Sequence, residues 1–319
     1  MIGFNPKSGA QAKVQNKVGL DIGADSIKVV AASFSDKPRL TSIGLKKIPD
    51  RAKTNLSDSI KALFEESKIP LGDVIISVSG PNVLVRFITM PKMRDEDLKN
   101  AIRFEAEKFI PFNIKDCILD SQVLSKSDRE NKVNIMLAAA KKDYVLARIK
   151  AVEEAGLSVT MVDVDAFALA NSFLKNFPAL DATKSFALLN VGASATNLSI
   201  LRGPSIYFAR DVAIGANDFL NKPDAMNYAK QVLSNFMDEV RLSFSYYENQ
   251  GGMGIDEIYI SGGANDLAGL AEAFVENFAS KPIAWNPLQY LDAASSGVDV
   301  KFMENSKSSF AVASGLVLR

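Results

Sequence analysis

Apolar and polar positions along the chain predict the same order of elements twice. Over residues 18–80, short apolar runs predict three strands, a helix with i+3 and i+4 spacing, and a fourth strand. Over residues 185–279 the order returns, with three strands, a long helix, a strand and a final helix over 265–279. Apolar residues of the long helix recur at i+4 steps, at Val232, Phe236, Val240 and Phe244. So long a repeat indicates two duplicated domains rather than a solenoid.

A unit of different order separates the two repeats. Residues 83–159 predict a β-α-β-β-α-β module, with one helix stopped by Pro111 and the other by Gly156. The unit is compact enough to be an α+β module inserted into the first domain. We therefore predict an α/β protein with a flexible tail (1–16), a first domain (17–82 and 160–182), the insertion (83–159) and a second domain (183–319).

Each repeat begins with the same tight turn between its first two strands. The first turn has Asp21, an apolar residue and Gly23, whereas the second has Asn190 in the carboxylate position, before Gly192. Glycine lets backbone N–H groups cradle phosphate oxygens, and a carboxylate can hold Mg²⁺ through water. Two such turns facing across a cleft would clamp a phosphate tail. Gly and Asp are also common in ordinary turns, which is the alternative interpretation.

A third glycine-rich turn, at Gly262 and Gly263, lies between a predicted strand and the helix over 265–279. The backbone there can approach a nucleoside, and a helix N-terminus favours an anion. The same two glycines would also serve a tight strand-to-helix turn.

The amino-acid composition excludes several classes of catalytic site, metal site and binding partner. The 319 residues include no histidine, which excludes Ser-His-Asp and Cys-His catalysis and histidine-ligated metals. The single cysteine, Cys117, excludes an internal disulfide and fits a reducing compartment. Lys and Arg number 37, as do Asp and Glu, so no net charge favours nucleic acid or an anionic membrane. No apolar run approaches the roughly 18 residues that span a bilayer.

The three turns resemble the two phosphate loops and the adenosine loop of the actin-like ATPase superfamily; they read "DIGADSIKV", "NVGASATNLSI" and "SGGANDLAGL". Within it, residues 87–114, "FITMPKMRDEDLKNAIRFEAEKFIPFNI", resemble the PilM family of type IV pilus assembly proteins. The resemblance covers nearly the whole chain from Val18. It implies an actin-like ATPase fold whose insertion is a 1C-type subdomain, as in the cell-division protein FtsA. Only "ANDFLNKPDA" precedes the long helix, which implies a reduced subdomain 2B.

The resemblance also implies ATP and Mg²⁺ as ligands and assigns the residues that contact them. Nucleotide-binding residues would be Asp21, Gly23, Ala24, Asp25, Ser26, Lys28, Asn190, Gly192, Ala193, Ser194, Gly262, Gly263 and Ala264. Asp21 and Asp163 would hold the metal, and Asp163 and Asp165 lie where the superfamily places a residue near the attacking water. The alternative is that Asp163 or Asp165 only caps a helix beginning at Ala166. Asn190 can hydrogen-bond a phosphate but brings no negative charge to Mg²⁺.

The partner implied by the resemblance is a PilN-like inner-membrane protein. Its cytoplasmic N-terminal peptide would bind in a groove between the first subdomain and the insertion, with an apolar edge formed by Phe104, Phe109, Pro111 and Phe112. The alternative for these four residues is helix packing and a proline stop. The protein would then be a cytoplasmic scaffold, held at the inner membrane only through partners, and linked to pilus motor or platform proteins.

Four other functions stay open on the sequence: a slow ATPase, a small-molecule kinase of the same superfamily, an FtsA-like filament or division protein, and a nucleotide-free adaptor like the secretion-system relatives. Asn190 and the short 2B region favour the last, and the absence of a kinase substrate signature disfavours the second.

Overall fold

The computed structural model describes residues 15–48, 54–127, 131–220, 225–251, 253–263, 267–294 and 297–319. The first part of the chain forms β1 (Gln15–Ile22), β2 (Ser26–Phe34), β3 (Pro38–Lys47), α1 (Leu56–Glu66) and β4 (Asp73–Val78). The next part forms β5 (Val83–Pro91), α2 (Asp95–Ala106), a 3-10 turn (Ile114–Asp116), β6 (Cys117–Ser127), β7 (Lys132–Lys141) and α3 (Lys142–Glu154). The predicted tail, except its last two residues, lies outside the described residues.

The chain then returns to the first domain and enters the second. The return is formed by β8 (Ser158–Val164) and α4 (Asp165–Asn176). The second domain consists of β9 (Ser185–Val191), β10 (Thr196–Arg202), β11 (Ser205–Val212), α5 (Ala216–Leu220), α6 (Ala225–Gly251), β12 (Glu257–Ser261), α7 (Leu270–Phe278) and β13 (Ile283–Ala284). It ends with α8 (Val300–Ser306), a 3-10 turn (Lys307–Phe310) and α9 (Ala311–Leu316). No helix among the described residues is long and apolar enough to cross a membrane.

The two domains have the same sheet, which confirms the predicted duplication. The first sheet has the order β3-β2-β1-β4-β8 and the second the order β11-β10-β9-β12-β13. In each, the first three strands are antiparallel and the last two run parallel to the central strand. Helix α1 follows Asn55, whose side chain caps it by accepting a hydrogen bond from the Ser57 amide at 3.0 Å.

The insertion has its own sheet, with strand order β5-β7-β6. Helix α2 covers one face, and its buried residues Leu98, Ile102 and Ala106 pack on Ile135 and Leu137 of β7. Helix α3 also belongs to the first domain's core, since Val152 and Ala155 pack with Leu20 and Ile60. The predicted strand after Gly156 is β8, which lies beside β4 in the first sheet.

Helices α4 and α9 pack against each other between the two domains. A Cβ added at Gly315 would lie 1.7 Å from the carbonyl oxygen of Ala168, so only glycine allows this approach. A buried hydrogen bond of 2.7 Å joins the hydroxyl groups of Ser172 and Ser314 beside this contact. The contact fixes where α4 begins and where α9 ends, which are the ends that reach the two cavities described below.

Two helix boundaries differ from the prediction. Helix α2 ends at Ala106, before a turn over residues 107–109, rather than at Pro111. Helix α7 begins at Leu270 rather than at residue 265, because Gly269 adopts a left-handed conformation with φ +82° and turns the chain just before it. The predicted helix N-terminus is therefore not directly attached to Gly262 and Gly263.

The α4–α9 contact yields a stability prediction. Gly315→Ala forces a methyl group into the Ala168 backbone, and we expect it to lower the free energy of unfolding by about 1–3 kcal/mol. Urea denaturation followed by circular dichroism measures the change. Gly72→Ala is the matched control, because no heavy atom lies within 4 Å of its added Cβ. Equal midpoints for Gly315→Ala and Gly72→Ala would contradict the close contact.

Candidate functional site

A cavity of 660 Å³ lies between the two domains, and both predicted phosphate loops reach it. The first domain contributes Gly23 and Ala24, the second contributes Ser194 and Ala195, and the insertion contributes residues of β5 and α3. The predicted loops therefore do meet across a cleft. The insertion forms a further wall of this cleft, which the sequence did not indicate.

The first loop holds its carboxylate in an ion pair. Asp21 is buried, and its Oδ2 lies 3.2 Å from Nζ of Lys28, its cross-strand partner in β2. The amide of Gly23 donates to the carbonyl oxygen of Ser26 at 3.0 Å, and a Cβ at Gly23 would lie 2.9 Å from that oxygen and from Lys28 Nζ. The carboxylate of Asp25 is engaged outside this pair, with the Ser26 hydroxyl at 2.9 Å and Lys47 at 3.4 Å.

The second loop repeats this geometry with two amides. Asn190 and Asn197 are cross-strand partners at the positions that Asp21 and Lys28 occupy in the first domain. Asn197 Oδ1 accepts from Asn190 Nδ2 at 3.1 Å, and Asn190 Oδ1 accepts from the Ser261 hydroxyl at 3.3 Å. Where the first loop has an acidic and a basic side chain, the second loop has two neutral amides. The second loop thus offers polar groups to the cleft without leaving an unpaired charge.

Neighbouring groups hold the second loop in place. The amide of Gly192 donates to the carbonyl oxygen of Ala195 at 3.0 Å, as Gly23 does in the first loop. The carbonyl oxygens of Gly192 and Ala193 accept from the first amides of α5, at 2.9 Å each. Ser194 lies at the tip and lines the cavity.

The structure separates the two predicted catalytic carboxylates. Asp165 is the first residue of α4, and its charge interacts with Asp21 and Asp211. Asp163 is buried in β8 and accepts two hydrogen bonds from the Arg319 guanidinium, one of them at 2.8 Å. Its Oδ1 also accepts from the Val164 amide at 2.8 Å. Asp163 lines a second cavity instead, so the structure does not bring it to Asp21 as a shared metal site.

The capping alternative for these carboxylates is wrong. The N-cap of α4 is Val164, which makes no side-chain cap hydrogen bond, and Asp165 already lies inside the helix. The carboxylate of Asp165 is instead close enough to Asp21 and Asp211 for their negative charges to act on it. Burial, and next to it the negative charge of Asp21, raises the pKa of Asp165 to about 7, although the hydroxyl groups of Ser77 and Ser79 oppose the shift.

Asp211 is a residue of the cleft that the sequence did not single out. It lies on β11, where its Oδ1 accepts from Asn197 Nδ2 at 2.6 Å and its Oδ2 accepts from the backbone amide of Gly80. Gly80 lies in the turn between β4 and the insertion, with φ +85°. Asp211 thus ties the second domain to that turn. In the sequence, the feature that could have drawn attention to Asp211 was its partner Asn197, which occupies the position that Lys28 has in the first domain.

The third predicted loop is closely packed at Gly262 and exposed at Gly263. The amide of Gly262 donates to the carbonyl oxygen of Ser308 at 2.8 Å, and its φ of +101° together with a close approach to Val191 requires glycine. Gly263 is exposed, and a Cβ there would meet only the Ser309 hydroxyl, at 3.4 Å. Ala264 lies outside the described residues.

These groups fit a nucleotide phosphate tail. Two glycine turns with no room for a side chain face the same cavity, and Lys28 and Arg148 are cations beside the first of them. Within the described ranges, no cluster of three or more acidic or cysteine ligands could hold a metal. Mg²⁺ in phosphate sites is held by one or two carboxylates, waters and phosphate oxygens, so Asp21 alone is compatible with it. When bound, Mg-ATP would bring its own phosphate oxygens as the remaining ligands.

A second cavity, of 470 Å³, forms a groove between the first domain and the insertion. Its walls include Met161 and Asp163 of β8 and Ile118 and Gln122 of β6, with Arg319 at one side. Among the described residues, β8 and β6 are edge strands of their sheets, so one side of each forms no ladder with a neighbouring strand.

The predicted partner-binding residues do not line this groove. Phe104 of α2 is 74% exposed and Phe109 is 42% exposed. Pro111 and Phe112 line both the cavity between the domains and a further cavity of 630 Å³ that includes Leu146, and Lys141 Nζ lies 5.0 Å from the Phe112 ring centre. The four residues therefore lie on a different part of the insertion.

Comparison with solved structures defines the class of protein first. The ethanolamine utilization protein EutJ from Carboxydothermus hydrogenoformans shares the fold, with a TM-score of 0.52 at 12% identity over 97% of this chain and 91% of that chain. The cytoplasmic domain of EpsL, an inner-membrane component of the type II secretion system of Vibrio cholerae, aligns with a TM-score of 0.50 at 12% identity, covering 86% and 92%. The fold is that of the actin-like ATPases.

The family follows from two closer matches. The model of the type IV pilus assembly protein PilM matches residues 19–223 and 222–319. A solved PilM–PilN type IV pilus biogenesis complex contains a chain that aligns with a TM-score of 0.85 at 26% identity, over 95% of this chain and 98% of that chain. The chain belongs to the PilM family of type IV pilus assembly proteins, which confirms the resemblance.

The pKa of Asp165 predicts a pH dependence of stability. Because its pKa rises from 3.8 to about 7 on folding, the folded state keeps a proton that the unfolded state loses, so stability falls as pH rises from about 4 to 7. At about 1.4 kcal/mol per pKa unit, the loss is at most about 4 kcal/mol. Asp165→Asn removes it. Urea unfolding without nucleotide or Mg²⁺ should show Asp165→Asn stabilising the protein more at pH 8 than at pH 5. A difference that does not change with pH would contradict the assignment.

Proposed function

We propose that this protein is a nucleotide-binding scaffold of type IV pilus assembly that captures the cytoplasmic N-terminal peptide of a PilN-like membrane protein. The observation that supports it most is the match over nearly the whole chain to a protein of the PilM–PilN complex. The chain would work in the cytoplasm and reach the inner membrane only through such partners. Pilus motor or platform proteins would dock on the same scaffold.

Nucleotide binding would use the cleft between the two domains. The loops at Gly23 and Gly192 would hold the phosphates of ATP with backbone N–H groups, and Lys28 would add a positive charge. Asp21 would hold Mg²⁺ through water. Because one bound phosphate tail contacts both domains, ATP would favour the closed cleft by population shift. The neutral pair Asn190–Asn197 supports retention of nucleotide rather than rapid turnover, with Asp165 as the carboxylate able to orient water.

Peptide capture would use the groove between β8 and β6. An extended peptide can add to an exposed sheet edge through main-chain hydrogen bonds, while side-chain pockets supply specificity. This groove has two such edges and an apolar lining that includes Met161, Phe167 and Met136. The ion pair between Asp163 and Arg319 would form its polar end. Asp163 would then serve the partner site rather than the metal.

Nucleotide binding is tested by calorimetric titration with ATP, with and without Mg²⁺. We expect Mg²⁺-dependent binding, and we expect Asp21→Asn to lose most of that dependence because the metal-facing charge is gone. Asp25→Asn is the matched control, since its carboxylate pairs with Lys47 instead. Absence of binding at millimolar ATP would instead favour the nucleotide-free adaptor, the second candidate, which the two amides of the second loop support.

Peptide capture is tested with a labelled peptide of the PilN-like protein from the same organism, followed by fluorescence anisotropy. Ile118→Lys places a charge in the groove, and we expect roughly tenfold weaker binding. Phe104→Lys introduces the same charge at an exposed site outside the groove and should leave binding within about twofold. If Phe104→Lys is the damaging variant, the partner binds at the aromatic residues of the insertion instead.

A further inference from the structure

Arg148 of α3 reaches out of the insertion to the first phosphate loop. Its Nη1 donates to the carbonyl oxygen of Ile22 at 2.8 Å, and Ile22 directly precedes Gly23. Its Nη2 donates to the Tyr144 hydroxyl at 3.0 Å, which in turn donates to the carbonyl oxygen of Ser79 at 3.1 Å. The guanidinium is therefore held from two sides, and it lines the cavity that both loops face.

The positive charge of Arg148 has no acidic partner in the described part of the chain. No carboxylate there lies within 4.0 Å of it, whereas Lys28 is paired with Asp21 and Arg210 with Glu239. A guanidinium stays charged at every physiological pH, and a partly buried charge without a counter-ion is costly. An anion supplied by a ligand would compensate it.

We infer that Arg148 is a phosphate-binding residue, supplied by the insertion, that contacts the terminal phosphate of a nucleoside triphosphate bound between the two loops. The inference rests on the proposed nucleotide site and extends it. A planar guanidinium matches phosphate oxygens with paired N–H donors, and here it is already oriented by the Ile22 carbonyl and the Tyr144 hydroxyl. The insertion thereby contacts the terminal phosphate, which is present in ATP and absent from ADP.

The same helix connects this contact to the proposed peptide groove. Val145 and Ile149, which flank Arg148 on α3, line the groove, while Tyr144 and Arg148 line the nucleotide cavity. A phosphate that draws Arg148 toward the loop would therefore act on one wall of the groove. The insertion would sense the third phosphate and carry that information to the partner site.

The test compares ATP and ADP binding by calorimetry in the full chain with Mg²⁺. Arg148→Ala should weaken ATP binding roughly tenfold or more and ADP binding less than about threefold, because only ATP has the terminal phosphate. Arg202→Ala is the control, since Arg202 is also half-buried and has no carboxylate partner among the described residues, but it lies at the end of β10 and does not line the cavity. Arg148→Lys keeps the charge without the paired donors and should fall between Arg148→Ala and the wild type.

The outcomes separate this inference from the proposed function. If the wild type does not bind ATP, the nucleotide site itself fails. If the wild type binds ATP and Arg148→Ala binds it equally well, only the role of Arg148 is overturned. An equal loss for ATP and ADP, with a lower melting temperature of the ligand-free variant, would show that Arg148 only braces α3 against β1. Arg148→Lys provides the same comparison if Arg148→Ala does not fold.

Discussion

The close packing of α4 on α9 is the contact on which both cavities depend. The backbone of Ala168 and the missing side chain of Gly315 let the two helices approach to a distance that a single methyl group would prevent. Strand β1 also lies close to α9, since a Cβ at Gly19 would lie 2.4 Å from the Ala313 carbonyl oxygen. These small residues set the position of Asp165 at the start of α4 and of Arg319 just beyond α9. Asp165 then lies near Asp21 and Asp211, and Arg319 pairs with Asp163 in the groove.

The two duplicated domains share the geometry of this turn but differ in the charge of its side chains. Asp21 with Lys28 and Asn190 with Asn197 occupy matching positions, yet the first pair is charged and the second is neutral. The second domain has a carboxylate nearby, Asp211, which accepts hydrogen bonds from the Asn197 side chain and the Gly80 backbone amide. A phosphate tail in this cleft would meet the positive charge mainly from the side of the first domain and the insertion. The second domain would contribute hydrogen bonds and shape.

The order of elements was predictable because hydrophobic periodicity and capping are local. The three glycine turns and the separate module before β8 follow from neighbouring residues. The divergence of Asp163 and Asp165 was not predictable, since two residues apart on one strand would face the same side. The chain changes from strand to helix at Val164, so Asp163 lies in the groove with Arg319 whereas Asp165 lies near Asp21. Asp211 and Arg148 were missed because only tertiary packing brings them to the loops.

The position of the insertion also has a consequence for how the chain folds. Strand β8 must pair with β4, as Asp73 does with Ser158, although the whole module lies between them. The module's sheet brings the start of β5 and the end of β7 together, since the Lys141 amide donates to the Asn82 carbonyl oxygen at 2.9 Å. A module that folds first therefore shortens the loop whose closure the parallel pair requires, and lowers the entropy that closure costs. During synthesis, the edge of the first sheet at β4 therefore stays unpaired until the module has formed and β8 has left the ribosome.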